Sequence, residues 1–486
     1  MSRASRRTFL LFPGVPWRAL ALGSKICAVA VAILVCAVSS AHAAGWKRVT
    51  TPDQTSIDQV GLLRTPDGAL HVAWHRPTGP NTDDLLHTVI ARNGRIGATT
   101  PIAAGWTGFQ NAALVRDPQG IRAFVGAIRS TDSGDPNDEL NTMLSRDGGA
   151  TWELQAGNVV PDGGQAYGSP VSAAALPNGA TLQAWAGSLG TWVHAGLSPS
   201  APNHDFQGPI GQYGYDPNLA VDASGRTVLA WYSNASARLG VLAQDVAADG
   251  SPVGSAVTMP GTSTMQVGML GLTPLAARAG GGFYVAYPTG YPAMNRVRLW
   301  RVGSGRAPVL ARLSGTGNLP VTIAAASDGR LWVVWVNNRR GAPHVLARRS
   351  NRAATRFGAT VNAGRPPGSP AAYRLGASPS GGALDVLANF NIRTEPRSAT
   401  YHRRILPGLS LRAKPGRLRR GRSQDVRFVA TDAGDPVRGA RVRAAGASGL
   451  TARNGTVTLR LPGRTLTAKA TKSGYTPAAR RLRARG

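Results

Sequence analysis

Leu62-Leu63-Arg64-Thr65-Pro66-Asp67-Gly68-Ala69-Leu70-His71-Val72-Ala73-Trp74 reads as two apolar runs joined by a tight turn. Asp-Gly tolerates the positive φ angles of a hairpin, and the flanking runs are apolar enough to pair and bury one face. The phrase recurs: turn glycines stand at Gly68, Gly120, Gly179, Gly225, Gly282, Gly329 and Gly381 or Gly382. Six residues beyond four of them lie Trp74, Trp185, Trp231 and Trp335, and Tyr287 follows Gly282 by five. A fixed offset means one supersecondary unit used repeatedly, and steps of roughly 50 residues exceed those of short-period solenoids.

Further strand candidates between the pairs, among them Leu299-Trp300-Arg301-Val302 and Val345-Leu346-Ala347, bring each unit to about four strands. Ala173, Ala174 and Ala175 suit a crowded innermost strand. The expected fold is therefore all-β: a β-propeller over residues 44–406, with Trp46 to Val49 available as an outer strand that closes the ring against the last blade. Seven units imply seven blades. Six would follow if one of the two units lacking the aromatic, with Gly126 and Ala388 in its place, were an insertion. The aromatics end alternating apolar strands, so they are expected to pack between blades rather than stack on sugars.

The N-terminus is of another kind. Arg3, Arg6, Arg7, Arg18 and Lys25 precede an apolar run from Ile26 to Val38, and Ala41-His42-Ala43 follows as a small-residue cleavage site. These are the parts of a secretory signal over residues 1–43, too short to span a bilayer comfortably. Ser5-Arg6-Arg7-Thr8-Phe9-Leu10 resembles a twin-arginine export signal, although its pair stands far from the apolar run. Both cysteines, Cys27 and Cys36, lie within this segment, so the mature chain is expected to use no disulfide or thiolate chemistry. The expected location is secreted or at the cell surface, with no membrane span after cleavage. The net charge of +31 is unevenly spread: residues 45–400 carry 29 basic and 21 acidic side chains, whereas residues 401–486 carry 21 and three. Such a break marks a domain boundary.

Ser145-Arg146-Asp147-Gly148-Gly149-Ala150-Thr151-Trp152 matches S-x-D-x-G-x-T-W at every specified position and resembles the Asp-box repeats of the sialidase superfamily. The resemblance implies a structural hairpin at a blade's periphery, in which Ser145, Asp147 and Thr151 bond the turn, Gly149 permits it and Trp152 anchors it. It also implies comparison with exo-alpha-sialidases, which combine an arginine cluster, a Tyr/Glu pair, an Asp and an N-terminal F/Y-R-I-P motif. The nearest string here, Leu63-Arg64-Thr65-Pro66, lacks the aromatic and the Ile. The mature chain has three glutamates, Glu139, Glu153 and Glu395. Glu139 in the acidic loop Asp132 to Glu139, whose carboxylates could also hold a calcium ion, and the cluster Tyr213, Tyr215 and Asp216 are the candidate catalytic residues; a solvated blade loop is the favoured reading of the first, and the second also reads as ordinary packing. His71 and His75 share a strand face without a third ligand, so no metal is expected, and no phosphate loop or G-x-S-x-G elbow implies a cofactor.

After Leu406-Pro407-Gly408 a compact unit over residues 407–486 shows a G-A-x-V strand, Thr451-Ala452-Arg453-Asn454-Gly455, Leu461-Pro462-Gly463 and Gly474-Tyr475. It resembles the carboxypeptidase regulatory-like or bacterial Ig-like β-sandwich, an accessory without catalytic residues. Its positive surplus points to anionic cell-envelope polymers, and its lack of interleaved aromatics argues against specific nucleic-acid binding. The whole reads as an exported monomeric binding or adhesion protein for glycans or envelope polymers, with a sialidase-like glycoside hydrolase as the alternative. N-terminal sequencing of the secreted chain should begin at Ala44, and blocking the general and twin-arginine export routes in turn should identify the one whose loss stops secretion.

Overall fold

The computed structural model describes residues 45–51, 60–80, 82–109, 111–129, 140–155, 170–187, 190–207, 214–263, 271–290, 293–314, 320–339, 342–369, 371–391 and 398–485. Residues 1–43, read above as an export signal, Glu139 with its acidic loop, Tyr213 and Glu395 lie outside them. Strands and turns make up the described residues, apart from one 3-10 turn at Ser236–Arg238. Among them no helix is long and apolar enough to cross a membrane.

Seven four-stranded antiparallel sheets follow one another along the described chain, each pairing its strands in sequence order. The first comprises Gly61–Arg64, Leu70–Pro77, Asp83–Ile90 and Ile96–Trp106. The seventh comprises Ala372–Ser380, Ala383–Asn391 and Ser398–Ile405, and takes its outermost strand, Lys47–Arg48, from the other end of the chain. The first strand of every sheet packs on the first strand of the next, and Ala372–Ser380 packs back on Gly61–Arg64, so the sheets close into a ring. This is a β-propeller. The units carrying Gly126 and Ala388 form full sheets of their own.

The repeated turn joins the first two strands of each sheet, and its glycine takes the left-handed φ foreseen for it, +88° at Gly68 and +87° at Gly179 and Gly225. The aromatic at the fixed offset fills the seam to the preceding sheet. Trp185 lies among Ala113, Phe124 and Leu140, Trp231 among Leu182, Ala184 and Val193, and Tyr287 among Val228, Ala230 and Tyr232. All three are fully buried. Each buries a large aromatic ring, and truncation to Ala would cost about 3–5 kcal/mol.

Closure rests on strand pairing and on one buried carboxylate. Lys47 pairs with His402 and Arg48 with Tyr401, Val49 N–H donates to Thr400 O at 2.9 Å, and the Trp46 indole donates to Ala363 O at 2.9 Å. Asp385, in the seventh sheet and 0% exposed, accepts from Arg64 of the first sheet at 2.6 Å, from His402 at 2.8 Å and from both forks of Arg404 at 2.8 and 2.9 Å. Burial pushes this carboxyl up, but the bonds and charges of His402 and Arg404 together hold it far below the usual carboxylate range.

Beyond Ile405 two further sheets enclose a second core of Val426, Phe428, Val442, Leu461 and Leu482, forming a small β-sandwich. One contains Ser410–Lys414, Gln424–Asp432, Asp435–Pro436 and Thr456–Leu461; the other contains Arg417–Arg419, Ala478–Arg485, Leu466–Thr471, Arg441–Ala444 and Ala447–Leu450. The tip Asp432 to Asp435 docks on the sixth sheet of the ring. Arg349 bonds Asp432 at 2.5 Å, Arg330 bonds Asp435 at 2.5 Å, and Asp328 accepts from both arginines at 3.1 and 3.2 Å. Replacing Asp385 with Ala strands Arg64 and Arg404 and should destabilise the ring by about 3–5 kcal/mol in denaturant unfolding. Glu153→Gln, which breaks a solvent-exposed pair with Arg146, should change stability by about 1 kcal/mol or less in the same measurement.

Candidate functional site

Antiparallel order sorts the connections to two ends of the ring. One end carries the repeated hairpin turns and the turns between third and fourth strands. The other carries the connectors between sheets and between second and third strands, and only part of these lies within the described residues. The sandwich docks on the turn end, through Asp328 in a repeated hairpin and Arg349 to Arg352 beside an outer turn. The connector end is therefore left clear of the sandwich.

A cavity of about 260 Å³ runs along the axis between the first strands. Small residues such as Gly61, Ala112, Ala173 and Ala377 line it, together with Asn111, Ser172, Asn218 and Thr322. The polar groups are spent on one another across sheet boundaries. Asn111 donates to Val171 O at 2.9 Å and accepts from Val171 N–H at 2.8 Å. Ser172 donates to Asn218 Oδ1 at 3.0 Å and accepts from Leu219 N–H at 2.9 Å, while Asn218 Nδ2 donates to Thr273 O at 2.7 Å. Four successive sheets are thus stitched at the axis. Sequence reasoning missed these three residues; the available signal for Asn111 and Ser172 was one polar side chain beside the start of a small, apolar first strand, and Asn218 in Gly214–Val221 had no such signal.

Tyr215 and Asp216 open the first strand of the fourth sheet, at a bulge before Asn218. Asp216 is buried with a left-handed φ of +54°, a conformation that strains a residue with a side chain. Its Oδ1 accepts from Gly271 N–H at 3.1 Å and its carbonyl accepts from Thr273 N–H at 2.7 Å. Asp216 therefore holds the connector into the fifth sheet. Tyr215 is half-buried, stacks on Tyr232 at 6.2 Å between ring centroids and accepts from the exposed Asn234 amide at 3.4 Å. Tyr287 is completely buried nearby, and burial, the Asp216 charge and Tyr232 push its phenol well up. Tyr215 and Asp216 are thus brought to the connector end, with Asp216 inside the seam and Tyr215 at its edge. Arg64 is drawn away from the axis to Asp385.

The turn 145–152 lies at the opposite end, on the rim of the second sheet. Asp147 Oδ1 accepts from the Ser145 hydroxyl and from the Ala150 and Thr151 N–H groups at 2.8–3.0 Å, and Oδ2 accepts from the Thr151 hydroxyl at 2.6 Å. The Thr151 and Ser145 bonds hold the Asp147 carboxyl far below its ordinary range. Gly149 has φ +94°, and a Cβ there would lie 2.1 Å from the His87 ring. His87 belongs to the first sheet: its Nδ1–H donates to Gly149 O at 3.1 Å, Thr100 Oγ1 donates to the same oxygen at 2.9 Å, and Trp152 meets the His87 ring edge-on at 5.4 Å. Because His87 Nδ1 faces a carbonyl, its Nε2 is the acceptor for His71 Nδ1–H at 2.9 Å. Asn93 and Asp249 bond their own turns in the corresponding places of the first and fourth sheets, at 3.0 Å to Arg95 and Ser251 N–H. His75 lies apart from His71, 3.7 Å from Asp83, and among the described residues no three metal-ligating side chains converge.

No family model matches the chain, and no curated protein matches it. Solved structures with a similar arrangement include an alpha-L-arabinanase of Penicillium chrysogenum, 11% identical over 75% of this chain and 98% of that one, with a TM-score of 0.40. An ulvan lyase, 10% identical, covers 74% of this chain and 95% of its own at a TM-score of 0.46. An alpha-L-arabinofuranosidase of Fusarium graminearum, 12% identical, covers 75% and 98% at 0.41. No residue of these proteins is carried onto this chain.

The histidine pair makes the rim pH-sensitive. Burial, then the neighbouring His71, lowers His87 to about 4, with the Gly149 bond acting the other way. A histidine held neutral in the fold contributes stability that is complete above the unfolded pKa near 6.5 and is lost as pH falls from there towards about 4. Urea unfolding should therefore show a loss approaching about 3 kcal/mol across that window, and a His87→Gln variant should lack that part of the dependence.

Proposed function

We propose that the mature chain is an exported binding protein whose ring presents its connector end to a carbohydrate, with the basic sandwich as an accessory of the regulatory-like or Ig-like kind fixed at the other end. The observation that carries this reading is the half-exposed Tyr215 ring, backed by Tyr232 and flanked by the exposed Asn234 amide. An aromatic face takes the C–H side of a sugar ring, and an adjacent amide supplies both a donor and an acceptor for its hydroxyls. Arg238, exposed on the same connector and donating to the backbone carbonyl of the buried Gln207 at 3.5 Å, extends the polar rim. Tyr215 and Tyr232 are ordered by stacking before any ligand arrives, which lowers the entropy lost on binding.

The alternative is a sialidase-like hydrolase, and the observation favouring it is the turn from Ser145 to Trp152. That turn supports membership of the Asp-box group without supplying chemistry, since its polar atoms are consumed by its own backbone. A sialate carboxylate needs arginines at the axis, and Arg64 is committed to Asp385. Glycan-array binding of the mature chain should be lost on Tyr215→Ala and weakened about tenfold on Asn234→Ala, with no release of fluorophore from a sialoside. Sialoside hydrolysis by the parent chain, lost on Asp216→Asn while the variant's unfolding midpoint is unchanged, would replace the binding reading with the enzymatic one.

A further inference from the structure

The five-stranded sheet of the sandwich turns Leu418, Val442, Ala468, Ala470 and Leu482 into the core. Its other face is a field of cations. Parallel pairing sets Arg417 opposite Arg483 and Arg419 opposite Arg485. Arg481 follows on the same strand and face, opposite Thr467. Lys469 lies opposite Arg443, with Arg441 two residues along. Every one of these side chains is exposed, and none has an ion-pair or hydrogen-bond partner among the described residues.

This arrangement is unfavourable for folding. Neighbouring strands run about 4.8 Å apart, well inside a Debye length of about 8 Å, and like charges directly opposite one another destabilise a sheet. The domain's carboxylates do nothing to relieve it: Asp432 and Asp435 are bound to Arg349 and Arg330 of the ring, and Asp425 lies on the other sheet. The neutralising charge has to come from outside the chain. The cations are spread over a sheet face rather than gathered around one point, so an extended polyanion fits them better than a single ion.

We propose that this face binds a linear acidic polysaccharide. Seven of the eight cations are arginines, whose planar forks match the paired oxygens of carboxylates and sulfates, and Thr467 and Ser448 stand among them to meet sugar hydroxyls. Single-stranded nucleic acid would need aromatic platforms, and the outward positions of these strands carry none. A membrane surface would need an apolar fringe to enter the interface, and only Leu450 stands exposed there. The inference goes beyond the carbohydrate reading of the ring and does not depend on it.

The test uses the full mature chain on immobilised heparin at about 0.15 M salt. The expected result is retention that falls steeply with salt, and a loss of at least about tenfold in affinity on combining Arg417→Gln, Arg419→Gln, Arg483→Gln and Arg485→Gln. The melting temperature of that variant at low salt should match or exceed the parent's, because repulsion is removed while the core is untouched. Arg441→Gln with Arg443→Gln, on a separate strand, provides a second arm that should weaken binding by a smaller factor. Unchanged affinity in both variants would overturn the proposal. So would displacement of the protein from heparin by duplex DNA, or by vesicles of phosphatidylglycerol, at a lower concentration of charge than soluble heparin requires.

Discussion

A four-stranded sheet with apolar side chains on both faces has no stable existence alone, and that requirement governs this molecule. Each sheet must find a neighbour on either side, and the only arrangement that leaves no bare face is a closed ring. The aromatic six residues beyond the repeated turn is the local means. Trp185 and Trp231 enter the preceding seam with no exposed surface, and adjacent sheets are locked at the spacing those rings set. The seam between the seventh and first sheets joins the two ends of the ring's sequence, and there the chain uses its strongest devices: a strand from the N-terminal side added to the last sheet, and Asp385 held by Arg64, His402 and Arg404.

Buried ionic clusters occur at both places where distant parts of the chain must meet in one orientation. Neither is best understood as a large source of stability, since desolvation offsets most of the Coulombic gain. The two differ in outcome. At Asp385 the bonds outweigh burial and the carboxyl is held low. At Asp432 burial outweighs Arg349 and Arg330 and pushes the carboxyl up. The docking network fixes which tip of the sandwich meets the ring, and the sandwich has a core of its own.

The parts of this architecture that were readable in sequence are those with a local rule. Turn glycines require positive φ, strand aromatics require burial, and both recur at one period, so hairpins, blades and the closing strand at Trp46 to Val49 could be placed from the chain alone. Asp147 and its neighbours were readable for the same reason, because their bonds stay within seven residues. The rest depends on pairs with no sequence rule. Arg64 and Asp385 are 321 residues apart, Asn111 meets the backbone 60 residues on, and His87 supports a glycine in another sheet. Nothing local in Leu63-Arg64-Thr65 says that this arginine belongs to the last sheet. Asp216 illustrates the converse difficulty: a carboxylate beside tyrosines reads as chemistry, whereas its left-handed backbone and its bond to Gly271 make it a brace for a connector.

Net charge alone would have described the C-terminal domain as uniformly basic, and register shows otherwise. Two of its three acids, Asp432 and Asp435, are drawn to the ring, and Arg417, Arg419, Arg481, Arg483 and Arg485 align on one sheet face, so attraction is used where the domain docks and repulsion is left where that sheet faces water. Because docking occurs at the turn end, the connector end stays clear of the sandwich. The Asp328, Arg330, Arg349 and Asp432 junction is where that attraction is concentrated: four charged side chains from both domains meet there, whereas the opposite sheet of the sandwich carries its cations without an acidic partner among the described residues.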